Sequence, residues 1–308
     1  MTSFRSKYTA SLYALMSISF WGVSFVSTKA VLGKLDPYSL LVLRFGIGAL
    51  FLLVLLRLQH HRLTISMYYF PHLLLLGVLG VFVHQILQAT ALLTINASSA
   101  GWLISFSPIF TVLLSMIFLH EKMNFTKAAG MVLAVIGVLL VTTTRSGQSF
   151  EFSLNLGFIL MLVSTLNWAI YSVLFKNLQI PYPPIVVTFY MSLLGLILTI
   201  PFIIRNKGLG SLSMLTSTEW AHLLFLGVFV TGIAYWYWGK ALEVLEASKV
   251  SMFLYLEPLA TFIAAILLLQ EKVLLISIAG GIIIIIGVII VNGQIIPLLF
   301  NFFKKKGL

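Results

Sequence analysis

The chain has 308 residues, 60% of them hydrophobic and 9% charged, and a mean hydropathy of +1.08, far outside the range of soluble domains. Its net charge of +11 sits at the ends of apolar runs rather than in one patch, which argues for basic anchors at a membrane surface and against a nucleic-acid partner. With no cysteine, the chain can form no disulfide, thiolate metal site or iron–sulfur ligation.

Cutting the sequence at charges, prolines and polar clusters predicts ten apolar helices, at about 10–31, 38–57, 70–93, 97–119, 126–144, 156–176, 184–204, 220–242, 247–269 and 273–294. Each approaches the roughly 20 residues that a bilayer core requires. The connections are too short to hold a soluble catalytic domain. The first helix follows Arg5 and Lys7 as a signal peptide would, but it is too long for one and lacks a small-residue cleavage pattern, so it reads as a retained span. It carries Ser17, Trp21, Ser24 and Thr28 at helical spacing and ends at Lys29, whose ammonium is expected to snorkel to the interface. Arg44 lies about two turns into the second helix. Two readings stand for it: an interfacial anchor, or an inward guanidinium able to grip a carboxylate.

The third helix holds His84, Gln85 and Gln88, and the fourth holds Ser98, Trp102 and Ser105 ahead of Ser107-Pro108. The fifth has no polar residue between Ala128 and Val141 and shows a small-residue stripe, Gly130, Ala134 and Gly137, of the kind that packs helices together. A polar seam from Gly147 to Ser153 follows. The sixth helix repeats the polar face of the first as Ser164, Asn167 and Tyr171, with Trp168 beside them. Tyr235-Trp236-Tyr237-Trp238 in the eighth lies too deep for a simple interfacial belt, and four consecutive residues point around the whole helix, so at least one is expected to face the interior. In the ninth, Glu257 immediately precedes Pro258. A charge at a helix centre costs about 2.5–3.5 kcal/mol on insertion scales, so Glu257 needs a reason: it lines a cavity, or it is a structural carboxylate paired with Arg44 or Lys29.

The second half restates the first. Pro108, Glu121, Gly130 and Gly137 recur as Pro258, Glu271, Gly280 and Gly287, all at an offset of 150 residues. Ser17, Trp21, Lys29 and Pro37 recur as Ser164, Trp168, Lys176 and Pro184, all at 147. A repeat of this length in a membrane protein points to transport. The units are 1–146 and 151–308. Because five spans is an odd number, the second copy enters from the opposite face. The expected fold is therefore an all-α integral membrane protein of ten transmembrane helices in two inverted five-helix repeats. Arg5, Lys7, Arg57, Arg62, Lys122, Lys127, Lys176, Lys249 and the terminal lysines fall on one side of this topology, which makes both termini cytoplasmic.

Trp21-Gly22 followed by Lys29, Leu43-Arg44-Phe45, the proline–apolar–Glu-Lys blocks ending at Lys122 and Lys272, and the paired late glycines together resemble the EamA family of the drug/metabolite transporter superfamily. The resemblance covers essentially the whole chain, in both copies. It implies a central substrate cavity with the fifth and tenth helices set aside from it, and export of amino acids or other small metabolites from a bacterial cell. The second copy departs from the first by placing Met191 where Arg44 stands and Glu257 where Ser107 stands, so the cavity is expected to be chemically asymmetric.

The function expected is a secondary transporter in the bacterial plasma membrane, working by alternating access around a midplane cavity. Glu257 would bind a substrate amine or a coupling proton, and Arg44 would steady it or take a carboxylate. Ser24, His84, Gln88, Trp102 and Asn167 would add polar contacts, Trp21, Trp168, Tyr171, Trp236 and Trp238 would form the walls, and Pro108 and Pro258 would be hinges. The partners are a small-molecule substrate and membrane lipid. No cofactor is implied, and the scattered histidines give no metal-site spacing. The rivals are a membrane-embedded enzyme acting on a lipid or prenyl substrate, for which clustered interfacial acids or histidines are lacking, a membrane receptor or scaffold, and, within the transporter class, a drug or lipid exporter.

Overall fold

The computed structural model of the protein describes residues 2–95, 97–145, 155–206, 212–269 and 275–292. Among these the chain forms ten long helical segments and no strand. They are α1 (Thr2–Leu32), α2 (Pro37–Leu58), α3 (Phe70–Thr94), α4 (97–118), α5 (Phe125–Arg145), α6 (Leu156–Asn177), α7 (Pro184–Asn206), α8 (Ser217–Val244), α9 (247–269) and α10 (Leu275–Asn292). Six of them, α1 to α3 and α6 to α8, are long and apolar enough to cross a membrane, so the chain is a multi-pass membrane protein. Shorter apolar stretches, Ser107–Phe118, Phe125–Leu140 and Ile278–Asn292, lie in α4, α5 and α10. The seam at 147–153, Glu271, Lys272 and the terminal lysines lie outside the described residues.

Local chemistry fixes the helix starts. Asp36 Oδ1 accepts from the backbone N–H groups of Tyr38 and Ser39 at 3.0 and 3.2 Å, with Pro37 in the first turn of α2. Asn155 caps α6 through Phe158 N–H at 2.9 Å, and Glu219 reaches back to Thr216 N–H at 2.7 Å to start α8. Polarity is turned inside out. Leu50, Leu113, Ile117 and Ile204 face outward, whereas Ser17, Arg44, His84, Asn167 and Glu257 are buried. That distribution suits a lipid solvent, in which intramembrane polar groups turn to the bundle interior.

The two proline helices are broken rods. α4 is interrupted at Ser105 and Phe106, just before Ser107-Pro108, and α9 passes through a tight 3-10 turn over Met252–Leu256 before Glu257-Pro258. Proline supplies no N–H and its ring crowds the carbonyl four residues back, here Ile104 and Leu254, so each helix re-forms only at the proline. α3 and α8 are distorted at matched places too, with wide π-helical turns over Gly77–Val83 and Leu226–Ala234. Ser17 Oγ donates to Ala234 O at 2.8 Å, and Ser164 Oγ to His84 O at 3.3 Å, where those turns end.

Lys29, exposed near the end of α1, donates to Leu92 O at 2.5 Å and Ile95 O at 3.3 Å, carbonyls at the C-terminus of α3. Its counterpart Lys176 does the same at α8, donating to Leu242 O at 2.9 Å and Leu245 O at 2.5 Å. An ammonium beside helix-end carbonyls complements their partial negative charge.

α5 and α10 pack face to face, α1 lies on α8 and α9, α6 on α3 and α4, and α2 on α7. The α5–α10 seam is set by glycine. A Cβ at Gly130 would lie 2.6 Å from Gly287 O, and one at Gly137 would lie 2.6 Å from Gly280 O. Position advances along α5 as it recedes along α10, so these two helices run antiparallel.

Candidate functional site

One internal cavity sits where α1, α2, α3, α4, α6, α8 and α9 converge. α1 contributes Trp21 and Ser24, α2 Arg44, and α3 the run of His84, Gln85 and Gln88. Trp168, Tyr235 and Glu257 come from the other half, one from each of its three helices at the site, and Phe25, Ile104 and Leu254 complete the lining. The cavity has a volume of only about 20 Å³, room for roughly one water, so the walls must part to admit a solute.

Arg44 faces this interior, 3% exposed, rather than the membrane interface. It is also not the partner of Glu257. Its Nε donates to Thr231 Oγ1 at 2.9 Å and its Nη1 to Gln85 Oε1 at 2.7 Å. Gln85 Nε2 in turn donates to Tyr235 Oη at 2.9 Å, and that hydroxyl donates to Gly80 O in the π-helical turn of α3 at 2.8 Å. The guanidinium thus sits at one end of a closed chain of neutral acceptors. Geometry explains the choice: α2 packs on the π-helical part of α8, which brings Thr231 against the Arg44 stem.

Glu257 is 2% exposed and its Oε2 has no hydrogen-bond partner. Neither Arg44 nor Lys29 is within ion-pair reach of it among the described residues, so the structural-pair reading is corrected. Trp21 and Trp168, the repeat-related pair, meet edge to face with ring centroids 4.9 Å apart and planes at 87°. Both of their buried Nε1 atoms are unpartnered as well. His84 stacks on Trp168 at 4.7 Å, and its Nδ1 lies 3.2 Å from Ser164 O and 2.9 Å from Ser164 Oγ. A carbonyl can only accept, which assigns the hydrogen to Nδ1.

Not every expected site residue reaches the cavity. Asn167 donates instead to Leu79 O at 2.6 Å, in the π-helical turn of α3. The Tyr171 ring packs on Gly80, and its hydroxyl donates to Met191 Sδ at 3.9 Å. Trp238 stacks behind Trp21 and Trp168 at 5.2 and 5.8 Å and donates to Ser172 Oγ at 3.4 Å. Trp236 belongs to a separate surface cavity near Pro181 and Ile185, with the Lys240 ammonium 4.5 Å from its ring. The side chain of Trp102 lies outside the described residues. Pro108 and Pro258 stand where α4 and α9 resume. Gln85 and Tyr235 were missed as site residues, although they occupy one repeat position at the offset of 150 and both are polar and deep.

A second cavity of about 410 Å³ opens at the ends of α6 and α8, lined by Phe175, Lys176, Leu242 and Glu243 among others. A ladder of rings joins it to the first: Trp168 to Tyr171 at 4.8 Å and Tyr171 to Phe175 at 5.9 Å. Elsewhere, Glu121 accepts from Ala247 N–H at 2.7 Å and Ser248 N–H at 3.1 Å at the start of α9. Lys127 bridges to Glu246 at 2.5 Å and to Ser248 Oγ at 3.0 Å. Burial alone would raise the Glu246 carboxyl, but the hydrogen bonds from Lys127 and Lys249 outweigh it and hold that group below its ordinary value.

The profile of the EamA-like transporter family matches this chain twice, over residues 9–143 and 155–293. An uncharacterized transporter of Archaeoglobus fulgidus is 32% identical over 90% of this chain and 96% of its own length. The uncharacterized transporter YyaM of Bacillus subtilis is 25% identical over 90% of this chain and 91% of its own. A solved crystal structure superposes with a TM-score of 0.78 at 19% identity, over 92% of this chain and 98% of that one, so the two share a fold. None of these relatives is named as an enzyme, and the chain belongs to the EamA-like transporter family.

Proposed function

We propose that the protein is a secondary transporter that exports small amphiphilic metabolites, amino acids foremost, across a bacterial plasma membrane by alternating access. One observation carries this reading. The central cavity holds a buried carboxyl with one oxygen unpartnered, Oε2 of Glu257, and a buried guanidinium, Arg44, that meets no acid among the described residues, between walls of tryptophan. A zwitterion satisfies both charges at once, and the apolar walls accept its side chain. Buried, uncompensated intramembrane charges are costly and therefore point to a pathway rather than to packing.

In this reading the ten helices form two inverted repeats, 1–146 and 151–308, with both termini cytoplasmic. Three features support that arrangement: the antiparallel α5–α10 seam, the equivalent Lys29 and Lys176 contacts, and the paired breaks before Pro108 and Pro258. The bundle rocks about the cavity, bending at the broken α4 and α9. The cavity of about 410 Å³ beside Phe175 is the approach from one face, and the ring ladder through Tyr171 links it to the site. Glu257 binds the solute amine or exchanges it for a coupling proton.

The test is efflux from cells loaded with amino acids, comparing overexpressed wild type with Glu257→Gln. Wild type should speed release of at least one amino acid, and the variant should lose most of that gain while reaching the membrane in equal amount. Equal release by cells with and without the protein, across all amino acids, would overturn the substrate class.

A further inference from the structure

Three polar atoms are left unpartnered around the same cavity: the Nε1 atoms of Trp21 and Trp168 and Oε2 of Glu257. Their side chains are 7%, 3% and 2% exposed, so water outside the protein does not satisfy them. Buried polar groups almost always find partners, and orphans gathered on one cavity call for a ligand that completes them. Two are donors and one is an acceptor. Arg44 gives its Nε and one Nη1 hydrogen to Thr231 and Gln85, so its remaining N–H groups can share an anionic group with other donors without breaking the chain that ends on Gly80 O.

We propose that the indole N–H groups of Trp21 and Trp168 are the hydrogen-bond donors that receive the acceptor oxygens of the transported solute, opposite Glu257. The proposal rests on the transport reading above and deepens it. The two rings stand at equivalent positions of the repeat, and their edge-to-face contact brings one indole from each half to the cavity. A carboxylate has an oxygen for each N–H, and its ammonium faces Glu257. The Arg44 charge favours the anionic end without giving up its own bonds. Specificity follows from the same accounting of hydrogen bonds: an analogue that lacks the acceptor leaves both indoles unpaired inside the protein, and a site built for hydrogen bonding rejects it. Tryptophan here selects by its N–H as well as by its ring.

The test uses the full-length protein in liposomes loaded with an equimolar mixture of the twenty common amino acids. The fastest-released amino acid is then compared with the amine left by removing its carboxylate. Trp21→Phe and Trp168→Phe keep a ring while deleting the donor. Each should lower the ratio of amino-acid to amine release about tenfold, the effect of one buried hydrogen bond, mainly through KM. Trp238→Phe is the packing control, because that indole is buried in the same cluster but already donates to Ser172. Its ratio should equal that of wild type. The ratio is taken within one protein, so a smaller folded fraction cancels. An unchanged ratio in both donor variants, or a fall in only one, would overturn the paired arrangement while leaving the transport reading in place. Wild-type protein that releases none of the twenty would overturn both.

Discussion

The two halves of the molecule agree where they bear load and differ where they meet the cavity. Lys29 and Lys176 hold the ends of α3 and α8 by the same pair of carbonyl contacts, and Ser17 and Ser164 close the same wide turns. Trp21 and Trp168 even touch each other. Elsewhere around the cavity the equivalence ends. Arg44 is matched by Met191, Gln85 by Tyr235, Thr231 by Val81 and Glu257 by Ser107. Where Arg44 makes charged hydrogen bonds to Thr231 and Gln85, its counterpart Met191 accepts from the Tyr171 hydroxyl through Sδ. Duplication supplied a frame, and each charge was written onto it once, Arg44 in the first half and Glu257 in the second.

The sharpest way to break this comparison is at the glycine seam. In Gly137→Val the new side chain would press on Gly280 O and Ile284, both within 2.7 Å of its Cβ, and the helices would have to separate. A loss of about 3 kcal/mol or more is expected, read as collapse of the monodisperse peak after detergent extraction. Gly130→Val should behave alike, because Gly130 faces Gly287 O at the same distance as Gly137 faces Gly280 O. Gly101→Ala, with nothing within 4 Å, should show no loss.

Smaller effects are expected at the lysines. Lys29→Met and Lys176→Met each strip a charged donor from two helix-end carbonyls, at a cost of about 2 kcal/mol. The two losses of thermal stability should agree within about 1 kcal/mol if the frame is symmetric. Arg44→Met copies the residue of the second half into the first. It should destabilise by about 1–2 kcal/mol, from the unpaired Gln85 and Thr231, while abolishing efflux. Met191→Arg should not restore it, since Val81 stands where Thr231 would be needed.

The smallest effect concerns pH. The folded-state Glu246 carboxyl is held low, so its stabilisation is fully present above the ordinary carboxylate value and is lost as pH falls through the folded value. A melting profile of wild type should therefore drop on acidification more than that of Glu246→Gln.

The frame was readable from the sequence because it rests on spacing: ten apolar runs, matched prolines and matched glycines survive as a pattern in one dimension. Glu257 was readable as well, since a charge beside a proline in an apolar run has few explanations. What the sequence hid was pairing across helices. Arg44 stood equally for anchor and site because nothing in one dimension places Thr231 or Gln85 against it. The contacts of Lys29 with Leu92 O and Ile95 O were hidden because carbonyl acceptors carry no signature in side-chain identity. Asn167 and Tyr171 shared a helical face with Trp168, yet the wide turn of α3 draws Asn167 to Leu79 O and seats Tyr171 on Gly80, away from the cavity.

The central claim, two halves upside down relative to each other, is tested most directly by sidedness. Met67 lies in the connection between α2 and α3 and Met214 in the corresponding connection between α7 and α8, and both are exposed, by 78% and 68%. The chain has no native cysteine, so Met67→Cys and Met214→Cys each give a single thiol. A membrane-impermeant maleimide applied to intact cells should label the cysteine at 214 and reach the one at 67 only after permeabilisation. Labelling of both from the same side would contradict the inverted arrangement.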